Sequence, residues 1–124
     1  MQVSLIRGLL DSPSIIQYAD QIRDGLRANY PAVRIAEIHP PSPANLPIGR
    51  AGRAIATQAI RYGWYPLRAG RIHGDVQHIT DHLHAYLVRH LPPEHTIVTC
   101  HDLTTFVHPE NIISTSLFPS IALR

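Results

Sequence analysis

The sequence predicts an α/β fold, a partial parallel sheet of about four strands with flanking helices. Three observations carry that expectation. Short apolar, β-branched runs alternate with longer segments of helical periodicity, in the order strand, helix, strand, helix, strand, helix, strand. The segments between strands are long enough to be crossover helices, which parallel pairing requires. The chain has 124 residues, 44% of them hydrophobic, which is material for one core and too little for two.

Val3-Ser4-Leu5-Ile6 is the first strand, a buried run that stops at Arg7-Gly8. Ser12-Pro13 then supplies an N-cap and a proline at the first helical position. Ile15, Ala19, Ile22 and Leu26 form one apolar stripe on the helix that follows, and Tyr30-Pro31 ends it. Val33 to Ile38 alternates apolar and polar residues as a second strand. Pro40, Pro41, Pro43 and Pro47 make residues 39–48 a surface loop within the domain.

Gly49 to Tyr65 is helical in pattern, and Pro66 is expected to stop it. Asp75 to Ile79 is a short strand, followed at once by a helix through residue 91. In that helix Leu83, Leu87 and Leu91 would share one face, and Pro92-Pro93 would end it. Thr96 to Cys100 is the cleanest strand pattern in the chain and runs out at His101-Asp102. No internal repeat is visible.

Composition narrows the function classes. Only 16% of residues are charged, the formal charge is +2, and all 11 basic residues are arginine. So small an excess argues against a dedicated nucleic-acid binder, whose cations cluster on one face. The lone cysteine, Cys100, excludes an intramolecular disulfide and a cysteine-based zinc site, and fits a reducing, cytoplasmic compartment. Lying inside an apolar strand, it reads as an inert core thiol. No run approaches the roughly 18 apolar residues of a membrane span, and Met1-Gln2-Val3 enters the first strand without a cationic leader. Phosphate-loop, dinucleotide-binding and nucleophile-elbow motifs are missing; Gly8 stands alone after the first strand.

Ligands of parallel sheets gather outside the carboxyl ends of the strands. That rule points to the loop from Arg7 to Ser14, to the proline loop and to His101-Asp102. At the last of these, an imidazole exchanges a proton near neutral pH while the carboxylate orients it or acts as a base. The bland alternative is a capping Asp102 and a His101 bonded to a carbonyl.

A second cluster holds Asp75, His78, Asp81, His82 and His84. His78 and His82 are four apart, as in helical zinc sites, but a strand at 75–79 breaks that spacing. Polar faces at a strand–helix junction are the simpler account. Arg50, Arg53 and Arg61 fall within about an 80° arc of their helix, with Trp64 inside it. Such a stripe would contact an anionic membrane surface or a phosphate, against the plainer reading of a solvated face.

Residues 75–110 carry a resemblance. Asp75-Val76-Gln77-His78-Ile79-Thr80-Asp81-His82, then Thr96-Ile97-Val98-Thr99-Cys100-His101-Asp102-Leu103 and His108-Pro109, resemble the amino-terminal domain of family 4 glycosyltransferases. That family carries a similar D-V-x-H-I-x-D-H … T-V-V-T-x-H-D-L passage. More loosely, Ser14 to Ala19 occupies its first-helix position, and Tyr65-Pro66-Leu67-Arg68 resembles the run before its third strand.

The resemblance implies a Rossmann-like partial parallel sheet and retaining transfer of a sugar from a nucleotide-sugar donor to an acceptor. The family is metal-independent, so no cofactor is expected. It implies a sugar-contacting or catalytic role for His101 and Asp102, and acceptor contacts for Arg7, Gly8 and Ser14, although the family's usual glycine pair is not present at Gly8. Nucleotide-sugar donor and carbohydrate or lipid-linked acceptor would be partners of a full-length parent, without nucleic acid. The Arg50, Arg53 and Arg61 stripe would suit attachment at the inner membrane surface.

The donor site of that family belongs to a second domain. The expected organisation is therefore an incomplete glycosyltransferase-like domain at 1–110 and a divergent tail at 111–124, inactive alone. Two other functions compete with this one: a metal-dependent hydrolase using Asp75, His78, His82 and His84, and a non-catalytic module that binds through an unfinished sheet edge.

Overall fold

In the computed structural model, which describes residues 1–9 and 11–101, β1 (Gln2–Ile6) buries every residue from Val3 to Ile6. A strand covered on both faces belongs at the centre of a parallel sheet, and that is where it lies. The sheet order is β2-β1-β3-β4, with β2 (Arg34–Ile38), β3 (Val76–Ile79) and β4 (Thr96–Val98). All three pairings are parallel. The α/β class with about four parallel strands is therefore the fold of this chain.

Register assigns the two faces. Leu5 pairs with Glu37 and His78, and His78 with Ile97. This face lies under α1 (Pro13–Asn29): the Tyr18 hydroxyl is 3.0 Å from Thr99 Oγ1, and Arg23 Nη1 is 3.6 Å from Glu37 Oε1. Ile6 pairs with Ile38 and Ile79, and Ile79 with Val98. These four form the floor of the larger core, roofed by Tyr65, Ala69, Ile72, Leu87 and Leu91. Full burial of a side chain such as Leu87 contributes about 1.5–3 kcal/mol.

Three local details depart from the sequence expectation. Pro66 does not end its helix. α2 (Arg50–Ala59) passes into a π turn at Ile60–Trp64, and α3 (Tyr65–Ala69) follows directly. The Tyr65 N–H bonds the Ile60 carbonyl five residues back. This wider turn relieves the clash that a proline ring makes with an ordinary α turn, and the missing Pro66 N–H falls at the start of α3.

The segment after β3 is a 3-10 helix, His82–His90, instead of an α-helix. With three residues per turn, its inward face is Asp81, His84 and Leu87, all buried, and Leu83 is 52% exposed. The Leu83, Leu87, Leu91 stripe is thus broken at its first member. Finally, β4 stops at Val98, and Cys100 is exposed rather than a core thiol. β4 pairs only with β3 among the described residues, so Ile97 is 54% exposed on an edge strand.

The proline loop contains one 3-10 turn, Pro43–Asn45, capped by Ser42 Oγ, which accepts the Ala44 N–H at 3.3 Å. Asp102, His108 and the division between 1–110 and 111–124 lie outside the described residues.

Candidate functional site at the carboxyl end of the sheet

The chain leaves β1 towards β2 on one side, and β3 adds on the other, so the strand order reverses between β1 and β3. At such a switch point the loops after the two strands diverge and leave a crevice. Here those loops are Arg7-Gly8-Leu9 and Thr80-Asp81. They are stitched together: the Thr80 N–H and Oγ1 both donate to the Ile6 carbonyl, at 3.2 and 3.1 Å.

Arg7 is buried at 4% exposure and fully engaged. Its Nη2 lies 2.5 Å from Glu37 Oε2 and 2.8 Å from Asp20 Oδ1, its Nε donates to Glu37 at 3.1 Å, and its Nη1 donates to the Ile16 carbonyl at 3.3 Å. The guanidinium thus ties β1 to β2 and α1. It lines a cleft of about 500 Å³ with Gly8, Asp11, Arg23 and His39, but its donors are directed at the protein. The Arg7 hydrogen bond is the main reason the Asp20 carboxyl sits below its ordinary range.

Gly8 is a close-approach position. Its N–H donates to Asp11 Oδ2 at 2.8 Å, and a Cβ there would lie 1.7 Å from Asp11 Oδ1 and 2.6 Å from His84 Cε1. The next amide, Leu9 N–H, donates to His84 Nε2 at 3.2 Å. Behind the loop, the Tyr65 hydroxyl donates to the Arg7 carbonyl and lies 3.3 Å from the Ile38 carbonyl. Burial raises the Tyr65 pKa beyond its ordinary range, so the group stays a donor. Ser14 sits apart on the first turn of α1, exposed and 2.9 Å from Ser12 Oγ.

Asp81 caps the 3-10 helix through Oδ1, which accepts the Leu83 N–H at 3.3 Å and lies 3.0 Å from His82 Nδ1. His84, one turn on, points back under the Gly8 loop. Burial lowers its pKa, so the imidazole is neutral at pH 7. Sequence reasoning did not single out Asp11, and it named Asp81 only as a member of the wider Asp75-to-His84 cluster. The signal was available in the three-residue spacing of Asp81, His84 and Leu87, once a 3-10 helix is allowed.

His101 reaches the same end of the sheet from beyond β4. Its Nε2 donates to the Thr80 carbonyl at 2.7 Å, the carbonyl contact of the plainer reading, which places the acceptor lone pair of the neutral ring on Nδ1. Its ring stands edge-on to Tyr18 at 4.6 Å between centroids. His78, deeper on that face, has Nε2 2.7 Å from Thr99 Oγ1; its pKa is lowered by burial and then by the His101 charge.

Two groupings weighed as alternatives in the sequence are not assembled. Asp75 lies at the amino end of β3, accepting the Gln2 N–H at 2.6 Å. His78 faces α1 while His84 faces the other core, so Asp75, His78, His82 and His84 form no common ligand set. The arginine stripe is also split. Arg50 and Arg53 are exposed, whereas Arg61 donates to the Leu83 carbonyl at 3.4 Å and stacks over the Tyr62 and Tyr86 rings.

No helix of the described residues is long and apolar enough to cross a membrane. No protein-family model, curated protein or solved structure matches the chain.

Proposed function

We propose that this domain is the acceptor-side half of a retaining, nucleotide-sugar-dependent glycosyltransferase. The observation that carries the reading is the placement of His101, held by the Thr80 carbonyl, beside the switch-point crevice formed by Gly8 and Thr80. The D-V-Q-H-I-T-D-H passage and the described part of T-I-V-T-C-H-D-L, Thr96 to His101, whose resemblance to family 4 is independent of that geometry, lead to this crevice. In this reading the polar rim of the 500 Å³ cleft, Asp11, Arg23 and His39, receives acceptor hydroxyls. His101 contacts the reacting sugar, and Asp102, which lies outside the described residues, keeps the role that the resemblance implies. Donor diphosphate stabilisation, a large electrostatic contribution, is assigned to a second domain. Arg50 and Arg53 beside the 71% exposed Ile55 would suit an acceptor held at a membrane surface.

Titration of the isotopically labelled chain with UDP-glucose, GDP-mannose and short gluco- and manno-oligosaccharides tests this. Amide shifts confined to Gly8, Leu9, Asp11, Arg23, His39, His84 and His101 are the expected result. Saturable shifts elsewhere, or none with any of these ligands, would sink the reading.

A further inference from the structure

Three side chains of metal-ligating type converge between the loops after β1 and β3. One carboxylate oxygen each from Asp11 and Asp81 and one ring nitrogen of His84 lie within 4.8 Å of one another. Asp81 is 1% exposed and His84 6% exposed. Each holds a buried polar atom without a hydrogen-bond partner, Asp81 Oδ2 and His84 Nδ1, and Asp11 Oδ1 is a third such atom in the trio.

Buried polar atoms are almost always paired, so three orphans, one on each member of this trio, call for an explanation. The protein's own cations do not supply it. Arg61, the neighbouring guanidinium, donates to the Leu83 carbonyl, and among the described residues no arginine pairs with Asp11 or Asp81. We propose that Asp11, Asp81 and His84 bind one divalent first-row cation, of which zinc fits best. Two carboxylates and an imidazole form a mixed oxygen–nitrogen set, which favours zinc over magnesium or calcium. Three protein ligands leave a fourth position for water, as in open zinc sites. Ligand bonds of about 2.1 Å place ligand atoms roughly 3.4 Å apart, so the set closes by about 1 Å of side-chain rotation.

Binding has one further consequence. His84 Nε2 accepts the Leu9 N–H, which leaves the ring proton on Nδ1. Coordination through Nδ1 moves that proton to Nε2 and opposes the Leu9 donor; coordination through Nε2 replaces the contact outright. Either way the Leu9 hydrogen bond is lost, and the ion clamps the Gly8 loop to the start of the 3-10 helix. The site stands independently of sugar transfer, which the proposed function treats as metal-free.

Calorimetric titration of the EDTA-treated chain with zinc chloride, paralleled by amide spectra, tests the proposal. The expected result is one zinc per chain, a displaced Leu9 amide and no saturable binding of magnesium. Asp11→Asn keeps an oxygen to accept the Gly8 N–H, so it preserves the fold, and it should weaken zinc at least tenfold. His84→Gln should do the same, while His95→Asn, at an exposed position, should leave binding unchanged. Absence of stoichiometric zinc overturns the proposal. So does zinc binding that Asp11→Asn leaves intact, or that moves only amides near exposed histidines.

Discussion

Replacing Arg7 by Met removes the cation that joins β1 to β2 and α1 while keeping the length of the side chain. The guanidinium is 5% exposed and holds Glu37 Oε2 at 2.5 Å and Asp20 Oδ1 at 2.8 Å. Removing one partner of a buried ion pair costs about 3–5 kcal/mol, because the other charge is left without compensation. Two features place this case at the low end. Asp20 is 39% exposed, so water takes over its solvation, and Arg23 Nη1 remains 3.6 Å from Glu37. The expected loss is about 3 kcal/mol. With a urea slope of about 1.5 kcal/mol/M, that moves the unfolding midpoint down by about 2 M. Arg7→Met combined with Glu37→Gln should recover part of the loss, since the stranded carboxylate is then removed as well. A second readout is site-specific: without Arg7 the Asp20 carboxyl should titrate upward towards its ordinary value, because that hydrogen bond is what holds it low. An Arg7→Met midpoint within 0.2 M of the parent (about 0.3 kcal/mol at that slope), with Asp20 unmoved, would refute the argument. It would return Arg7 to the list of groups free to meet a ligand.

Two other perturbations follow from the same region. Tyr65→Phe strips the donor from the Arg7 carbonyl, while the Ile38 carbonyl keeps the Arg7 N–H at 3.0 Å; one unpaired buried acceptor costs about 1–3 kcal/mol, read from equilibrium urea unfolding. Stability should also fall as pH drops below about 6.5. His78 and His84 both have pKa values lowered by burial from 6.5, so the unfolded chain takes up protons that the folded one refuses. Their contribution is present above the unfolded value and is lost as pH falls towards the folded values. Unfolding midpoints that stay flat between pH 7 and 5 in the metal-free chain would contradict the burial of these rings, and His84→Gln should reduce the slope.

Much of the architecture was legible in the chain because the elements that carry it have strong local signals. Four β-branched runs and the Ser12-Pro13 and Tyr30-Pro31 boundaries placed every strand and α1 within one or two residues. Local signals misled where a long-range contact decided the outcome. Pro66 normally ends a helix, but here the core contacts of Tyr65 and Ala69 hold the chain helical through a π turn. Leu83, Leu87 and Leu91 fit an α stripe, but the chain buries His84 under the Gly8 loop and so winds at three residues per turn.

The candidate site divides in the same way. Sequence marked the carboxyl end of the sheet, with Arg7, Gly8 and His101, because a parallel sheet concentrates its loops there. It also raised sugar transfer, and a metal set of Asp75, His78, His82 and His84 that the fold does not assemble. Tertiary structure alone decided which side chains meet. It turned Arg7 inward onto Glu37 and Asp20, separated Asp75 from the histidines, and brought Asp11, 70 residues from Asp81, to the same buried point. The physical reason is that strand and helix signals are local, extending over a few residues. The pairing of loops across a sheet is instead fixed by register and by the core that α1 and the 3-10 helix close on its two faces.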